Sequence, residues 1–254
     1  MNNNKPYVES SIQDGLATIE FYHPAHNSLP GDLLEKLRNR ILEAGSRDDV
    51  ILILLKSGGD RTFCAGASFN ELASIKDGEE GLTFFMGFAN VINAIRTCGK
   101  IVIGRIQGKA VGGGVGIAAA CDYAIATKFA SVKLSELAVG IGPFVIGPAV
   151  QRKIGISAFS NLAINATEWQ TAEWAKSKGL FMEAFESLEQ MDEYLNHFIG
   201  ILLNSNPAAL QEMKKMLWEG TENWNNLLQK RAAISGRLVL SEYTRQAISR
   251  FVKA

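Results

Sequence analysis

An apolar run of β type, Ile101-Val102-Ile103, is followed within ten residues by three consecutive glycines, Gly112, Gly113 and Gly114. A run of small residues from Val115 to Ala120 then reads as a helix. Three glycines free the backbone to take positive φ and leave no side chain to block a close approach. A glycine turn that opens a helix presents unpaired N–H groups and the positive end of the helix dipole. The chain must therefore bring a strand end, a bare turn and a helix start together at one point. That point suits a ligand that carries or develops negative charge, and it equally suits a tight, closely packed strand-to-helix turn.

The rest of the chain repeats strand and helix signals around this stretch. Asp14-Gly15 between Tyr7–Gln13 and Leu16–Tyr22 predicts a hairpin, although the second arm shows a mixed rather than a two-faced pattern. His23-Pro24-Ala25-His26-Asn27-Ser28-Leu29 reads as a turn, with the histidines in a loop role. Leu33, Leu34, Leu37, Ile41 and Leu42 recur at helical spacing and predict a helix over 31–45. The apolar run Val50–Leu55 predicts a strand covered on both faces. Short and long helices are expected over 68–75 and 82–96, joined by an exposed, mobile link, Asp77-Gly78-Glu79-Glu80-Gly81. Short strands follow at 123–126 and 131–134. Beyond Gly142 helices dominate, over 148–154, 158–165, 168–178, 188–203 and 207–218, with two or three more to the end. The alternation predicts an α/β fold with right-handed crossovers and an appended helical layer.

Composition narrows the class. The 26 Lys and Arg are matched by 26 Asp and Glu, so no bulk charge grips nucleic acid or an anionic membrane. The three cysteines, Cys64, Cys98 and Cys121, form no Cys-x-x-Cys pair and read as free thiols of a reducing compartment, not a metal site. The first residues lack the apolar core of a signal peptide, and no apolar run approaches the roughly 18 residues of a span. A soluble, cytoplasmic protein is expected.

Common chemistries fail on spacing. The triple glycine makes neither Gly-x-Gly-x-x-Gly nor a P-loop, and no Gly-x-Ser-x-Gly elbow occurs. His197 has no nucleophile partner. What remains is two glycine-rich, strand-following segments, 63–67 and 106–116, and a carboxylate at Glu136. Two such turns can each offer an N–H to one oxygen, and a nearby carboxylate can move a proton beside the polarised carbonyl.

Phe63-Cys64-Ala65-Gly66-Ala67, Gly112-Gly113-Gly114 with Cys121-Asp122, and Ser135-Glu136-Leu137-Ala138-Val139-Gly140 together resemble the crotonase, or enoyl-CoA hydratase/isomerase, superfamily. Asn27-Ser28-Leu29 is similar to its Asn-Ala-Leu turn. The resemblance spans residues 7–180. It implies a spiral of ββα turns over residues 1–195 that binds acyl-CoA, and a C-terminal helical region, 196–254, that builds a homotrimer or homohexamer. It also implies an oxyanion hole from the N–H groups of Ala67 and Gly113, with Glu136 as the acid/base. Substrate contacts are implied at Ala65, Gly66, Ser68, Asn70, Gly112, Gly116 and Phe144. Coenzyme A belongs to the substrate, and no metal or separate cofactor is implied.

This sequence departs from the hydratase pattern at one decisive place. Hydratases of the family carry a second glutamate two residues after the third glycine, where this chain has Gly116. Three reactions stay open: hydration with Glu136 alone and a water or substrate group in the vacancy at Gly116, 3,2-enoyl-CoA isomerisation, or decarboxylation. A non-catalytic acyl-CoA binder is the rival from another class. The Gly-Gly-Gly-Val-Gly run, and the lack of Pro-Gly-x-Gly-Gly after Glu136, resemble bacterial methylglutaconyl-CoA and carboxygeranoyl-CoA hydratases. A hydratase of a short or branched enoyl-CoA is therefore expected. Ser68 and Asn70 stand where the family often has an acidic residue and a lysine, and Phe251 and Lys253 end the chain where some members carry a longer basic tail.

Overall fold

The structure is a computed structural model that describes residues 5–252, with side chains to residue 250. Lys253 and the side chain of Phe251 lie outside the described residues. The chain opens with the hairpin β1 (Tyr7–Gln13) and β2 (Leu16–Tyr22), whose turn residues Asp14 and Gly15 both take positive φ. In β2 the inward residues are Ala17, Ile19 and Phe21, each fully buried. The alternation is thus clean, not mixed. Thr18 and Glu20 lie on the opposite face, only half-buried, where Glu20 pairs with Lys56.

Helix α1 (Gly31–Ser46) buries its stripe of Leu33, Leu34, Leu37 and Ile41, and β3 (Leu52–Ser57) follows it into the sheet. Next come β4 (Thr62–Cys64), α2 (Phe69–Ser74), α3 (Gly78–Thr97), β5 (Ile101–Ile106), β6 (Lys109–Val111) and α4 (Gly113–Ala120). Then β7 (Tyr123–Thr127), β8 (Ser131–Lys133) and a 3₁₀ turn at Leu137–Val139 lead to α5 (Gly147–Ile164), which breaks at Gly155, φ 74°. The last part holds β9 (Gln170–Thr171), α6 (Ala172–Ser177), β10 (Glu183–Phe185), α7 (Leu188–Leu203), α8 (Pro207–Leu217), α9 (Trp224–Leu238) and α10 (Glu242–Val252).

Two sheets result. The larger has the order β1-β2-β3-β5-β7-β10, parallel except for the opening hairpin. The smaller has the order β4-β6-β8-β9, its first three strands parallel. Successive strand pairs β3/β4, β5/β6 and β7/β8 each give one strand to each sheet before a helix returns the chain. This is a spiral of strand–strand–helix turns, the architecture the resemblance implies. Right-handed crossovers favour parallel strands joined this way.

Three expectations need correction. The segment 77–81 is no free link. Asp77 caps α3 by accepting from the N–H groups of Glu79 and Glu80, and Gly81 is buried. A Cβ on Gly81 would lie 2.7 Å from Gly236 Cα, so α3 and α9 cross at a glycine contact. The helix expected over 168–178 shrinks to α6, because Gln170 and Thr171 pair with β8 and Thr171 then caps the helix. The vacancy expected over Gly116 is filled, as described below. Residue 195 lies inside α7, whose Met191, Leu195 and Ile199 pack with Leu52, Ile103 and Ile125 of the large sheet.

Candidate active site

The turn His23–Leu29 and the segment 57–66 are stitched together by one buried amide. Asn27, at φ 56°, accepts the N–H of His23 and donates to the carbonyls of Gly58 and Thr62. The N–H of Ala65 donates to His26 O, and the N–H of Leu29 donates to Gly66 O. From the other side, Gln107 donates to Ser57 Oγ at 2.8 Å and Gly59 O at 3.1 Å. The histidines keep the loop role expected of them: Ala25 N–H donates to His23 Nδ1.

The second glycine segment meets this one directly. A Cβ on Gly66, at φ 89°, would sit 3.0 Å from Val111 O and 3.7 Å from Gly113 N. Each glycine of the triple has its own reason. Gly112 takes φ 51°, and a Cβ there would lie 3.0 Å from Glu136 Oε1. A Cβ on Gly113 would meet the Phe88 ring at 2.2 Å, and one on Gly114 would meet Cys64 O at 2.5 Å. Gly113 opens α4, so its N–H has no intrahelical acceptor. Among the described residues, neither that N–H nor the N–H of Ala67 is paired with a protein acceptor. Both residues line one cavity of about 90 Å³.

Glu136 lines the same cavity. The residue as a whole is half-buried, but its carboxyl tip is enclosed, and Oε2 has no hydrogen-bond partner. Burial pushes its pKa up from 4.5 to about 7, partly offset by a backbone hydrogen bond. A carboxyl group poised there exchanges a proton readily near neutral pH. No thiol competes for this chemistry, since burial pushes Cys64 up to about 12. Among the described residues, no cluster of His, Cys, Asp or Glu could hold a metal ion, and no helix is long and apolar enough to cross a membrane.

Of the sequence-predicted site residues, Ala65, Gly66, Ala67, Gly112, Gly113, Glu136 and Phe144 come together on the cavity. Ser68 does not reach it; its hydroxyl caps α2 by accepting from Glu71 N–H. Asn70 is exposed on α2 and lies off the cavity. Gly116 is buried one turn into α4, and a Cβ there would lie 2.5 Å from Ile146 Cγ2 and 3.5 Å from Ile92 Cδ1. The open space expected over Gly116 is therefore occupied by Ile146, which lines the cavity in its place. The sequence reading missed Ile146 and also Ser235, which α9 presents to the cavity 99 residues beyond Glu136. Neither carries a local signal; both become site residues only through packing.

Asp122, which follows the motif cysteine, is a structural anchor. Its side chain accepts from Val102 N–H, Lys214 Nζ and Trp218 Nε1 at 2.6–2.7 Å, and the side chains of Asp122 and Lys214 are each 2% exposed. These contacts tie the C-terminal end of α4 to α8.

Comparison with known proteins fits this geometry. The sequence matches the model of the enoyl-CoA hydratase/isomerase family over residues 11–251. It is 30% identical over 199 residues to the 2,3-dehydroadipyl-CoA hydratase of Escherichia coli (strain K12), which covers 78% of this chain and 76% of that protein. It is 30% identical over 200 residues to the mitochondrial methylglutaconyl-CoA hydratase of Mus musculus, covering 77% of this chain and 63% of that one. Against the ethylmalonyl-CoA decarboxylase of Xenopus laevis the identity is 27% over 135 residues, and the match spans 45% of that protein and 53% of this chain. The fold superposes on the crystal structure of an enoyl-CoA hydratase from Bacillus halodurans with a TM-score of 0.88 at 23% identity, over 96% of this chain and 99% of that one. The chain belongs to the enoyl-CoA hydratase/isomerase family and has the crotonase fold.

Proposed function

We propose that the protein hydrates a short or branched 2-enoyl-CoA, with the N–H groups of Ala67 and Gly113 holding the thioester oxygen. The observation that carries this reading is the unpaired, enclosed carboxyl of Glu136 beside the Gly112–Gly113 turn, with a pKa near 7. As a carboxylate, Glu136 takes a proton from water while the oxygen bonds to C3. The displaced electron pair moves through C2 onto the thioester oxygen, where two N–H donors meet the developing charge. Protonated Glu136 then returns its proton to C2 and the carbonyl re-forms. One carboxyl serves as base and acid in turn, so no group is needed at Gly116.

The two hydratases at 30% identity support hydration as the reaction, while the acyl groups in their names end in a carboxylate and do not bear on the acyl group here. The proposal includes a homotrimer or homohexamer in the cytoplasm, with coenzyme A entering only as part of the substrate.

A second reading, 3,2-enoyl-CoA isomerisation, draws support from Ile146, since a hydrocarbon stands where a second acid would stand. There Glu136 would carry one proton between C2 and C4 without water. Turnover of crotonyl-CoA and 3-hexenoyl-CoA in heavy water separates the two. Hydration gives a 3-hydroxyacyl-CoA with one deuterium at C2. Double-bond migration without any hydroxyacyl product would overturn the hydratase reading in favour of the isomerase.

A further inference from the structure

We propose that Ile146 sets the acyl specificity of this site, making it accept uncharged acyl groups and reject those that end in a carboxylate. The inference rests on the acyl-CoA reading above. Ile146 occupies the place that a side chain on residue 116 would take, 2.5 Å from that Cβ position. Around it the cavity wall is largely hydrocarbon, including Leu72, Phe85, Phe88, Val139 and Ile141. Among the described residues, the polar side chains on the wall are Ser135, Glu136 and Ser235, and no lysine, arginine or histidine lines it.

A carboxylate entering this space would lose its water and gain no cation, which is costly. It would also face Glu136, whose own charged form is already disfavoured there. Arg231, the cation that α9 brings to this wall, points elsewhere. Its Nη1 donates to Phe144 O at 3.3 Å and would lie 3.3 Å from a Cβ on Gly147, and Arg231 is not among the residues that line the cavity. Its placement stabilises the loop 144–147 and so holds Ile146 in position.

An acyl tail and the water that a charged group would bring compete for the same cavity of about 90 Å³. Removing the Ile146 side chain beyond Cβ opens the space over Gly116 and lets water follow the acyl tail. The effect should therefore appear in the ratio between a charged and an uncharged ligand of equal length.

Pentanoyl-CoA and succinyl-CoA match in length and differ in the terminal carboxylate, and neither carries a double bond to react. Titration calorimetry of the full chain at pH 7.5 is expected to show pentanoyl-CoA binding on the order of 100-fold tighter. In Ile146→Ala that ratio is expected to fall at least tenfold, and because the ratio is taken within one variant, any unfolded fraction cancels. Equal binding of the two ligands by the natural sequence would overturn the proposal alone. An unchanged ratio in Ile146→Ala would overturn the assignment to Ile146. Failure of either ligand, and of free coenzyme A, to bind would overturn the proposal together with the acyl-CoA reading beneath it.

Discussion

Replacing Glu136 with glutamine tests the site through stability as well as rate. Folding carries the Glu136 carboxyl from an ordinary pKa of 4.5 to about 7 because its tip is enclosed and Oε2 lacks a partner. The folded state therefore holds a proton that the unfolded chain has released between those values. The sign follows: stability is full below pH 4.5 and is lost as pH rises through the folded pKa near 7. Integrated from pH 5 to pH 8, this loss is about 2.5 kcal/mol. A glutamine side chain cannot ionise and should not suffer it. Urea unfolding of both forms at pH 5 and pH 8 isolates the effect, because other titrating groups cancel in the difference. The variant should gain about 2.5 kcal/mol on the natural sequence between the two pH values. Over the same range its turnover should be lower by about 10²–10⁴-fold. In the natural sequence kcat/KM should rise about tenfold per pH unit up to about pH 7 and then level off, because the proposed reaction begins with Glu136 as the base. A difference in stability that does not change with pH would refute the enclosed, unpaired carboxyl. A turnover that Glu136→Gln leaves intact would refute its role.

Two further perturbations probe the surroundings. Gly116→Glu should not raise hydratase activity; it should lower the melting temperature, because its Cβ would lie 2.5 Å from Ile146 Cγ2 in a helix with every residue buried, an overpacking cost of about 1–3 kcal/mol before any charge is buried. Adding Ile146→Ala to it should restore part of that loss, and strict additivity in thermal unfolding would argue against the contact. Lys214→Met leaves the Asp122 carboxylate with Trp218 and Val102 N–H and with Lys153, which donates to its backbone carbonyl, as a nearby cation, and urea unfolding should show the loss of one charged hydrogen bond, about 1.5–3 kcal/mol. A loss below about 1 kcal/mol would mean that water reaches Asp122 and that the pair is not the anchor it is taken to be.

Where a segment carries its own period, the fold was legible in the sequence. The hairpin at Asp14-Gly15, α1, β3, α7 and α8 lie where turn chemistry and apolar spacing put them. Strands of two or three residues, β4, β6, β9 and β10, are too short to show a period, and they form because a neighbouring strand supplies the partner. The link at 77–81 illustrates a competing signal. Two glycines and a run of acids read as a loop, yet Asp77 satisfies the first N–H groups, and Glu79 and Glu80 complement the helix dipole. Gly81 is then needed for the approach of α9, a contact between residues 155 positions apart that no local pattern encodes.

The site shows the same division, and it bears on how the missing glutamate should be understood. Gly112, Gly113, Gly114 and Gly116 look interchangeable in the sequence, but each faces a different neighbour: a carboxylate, an aromatic ring, a carbonyl and an isoleucine. The first and third neighbours, Glu136 and Cys64, belong to segments that the motifs name, whereas Phe88 comes from α3. The fourth, Ile146, lies thirty residues on and carries no motif, so an absent acid and a filled space could not be told apart from residue type alone. Packing separates them. A true vacancy could hold a water or a substrate hydroxyl and would leave a two-group mechanism available in a modified form. A space filled by hydrocarbon leaves Glu136 as the one carboxyl on the cavity wall among the described residues. Proton removal and return must then use the same oxygen atoms in sequence, which requires a carboxyl that is stable in both protonation states near neutral pH. The enclosed position of Glu136 supplies that condition, because burial is what raises its pKa.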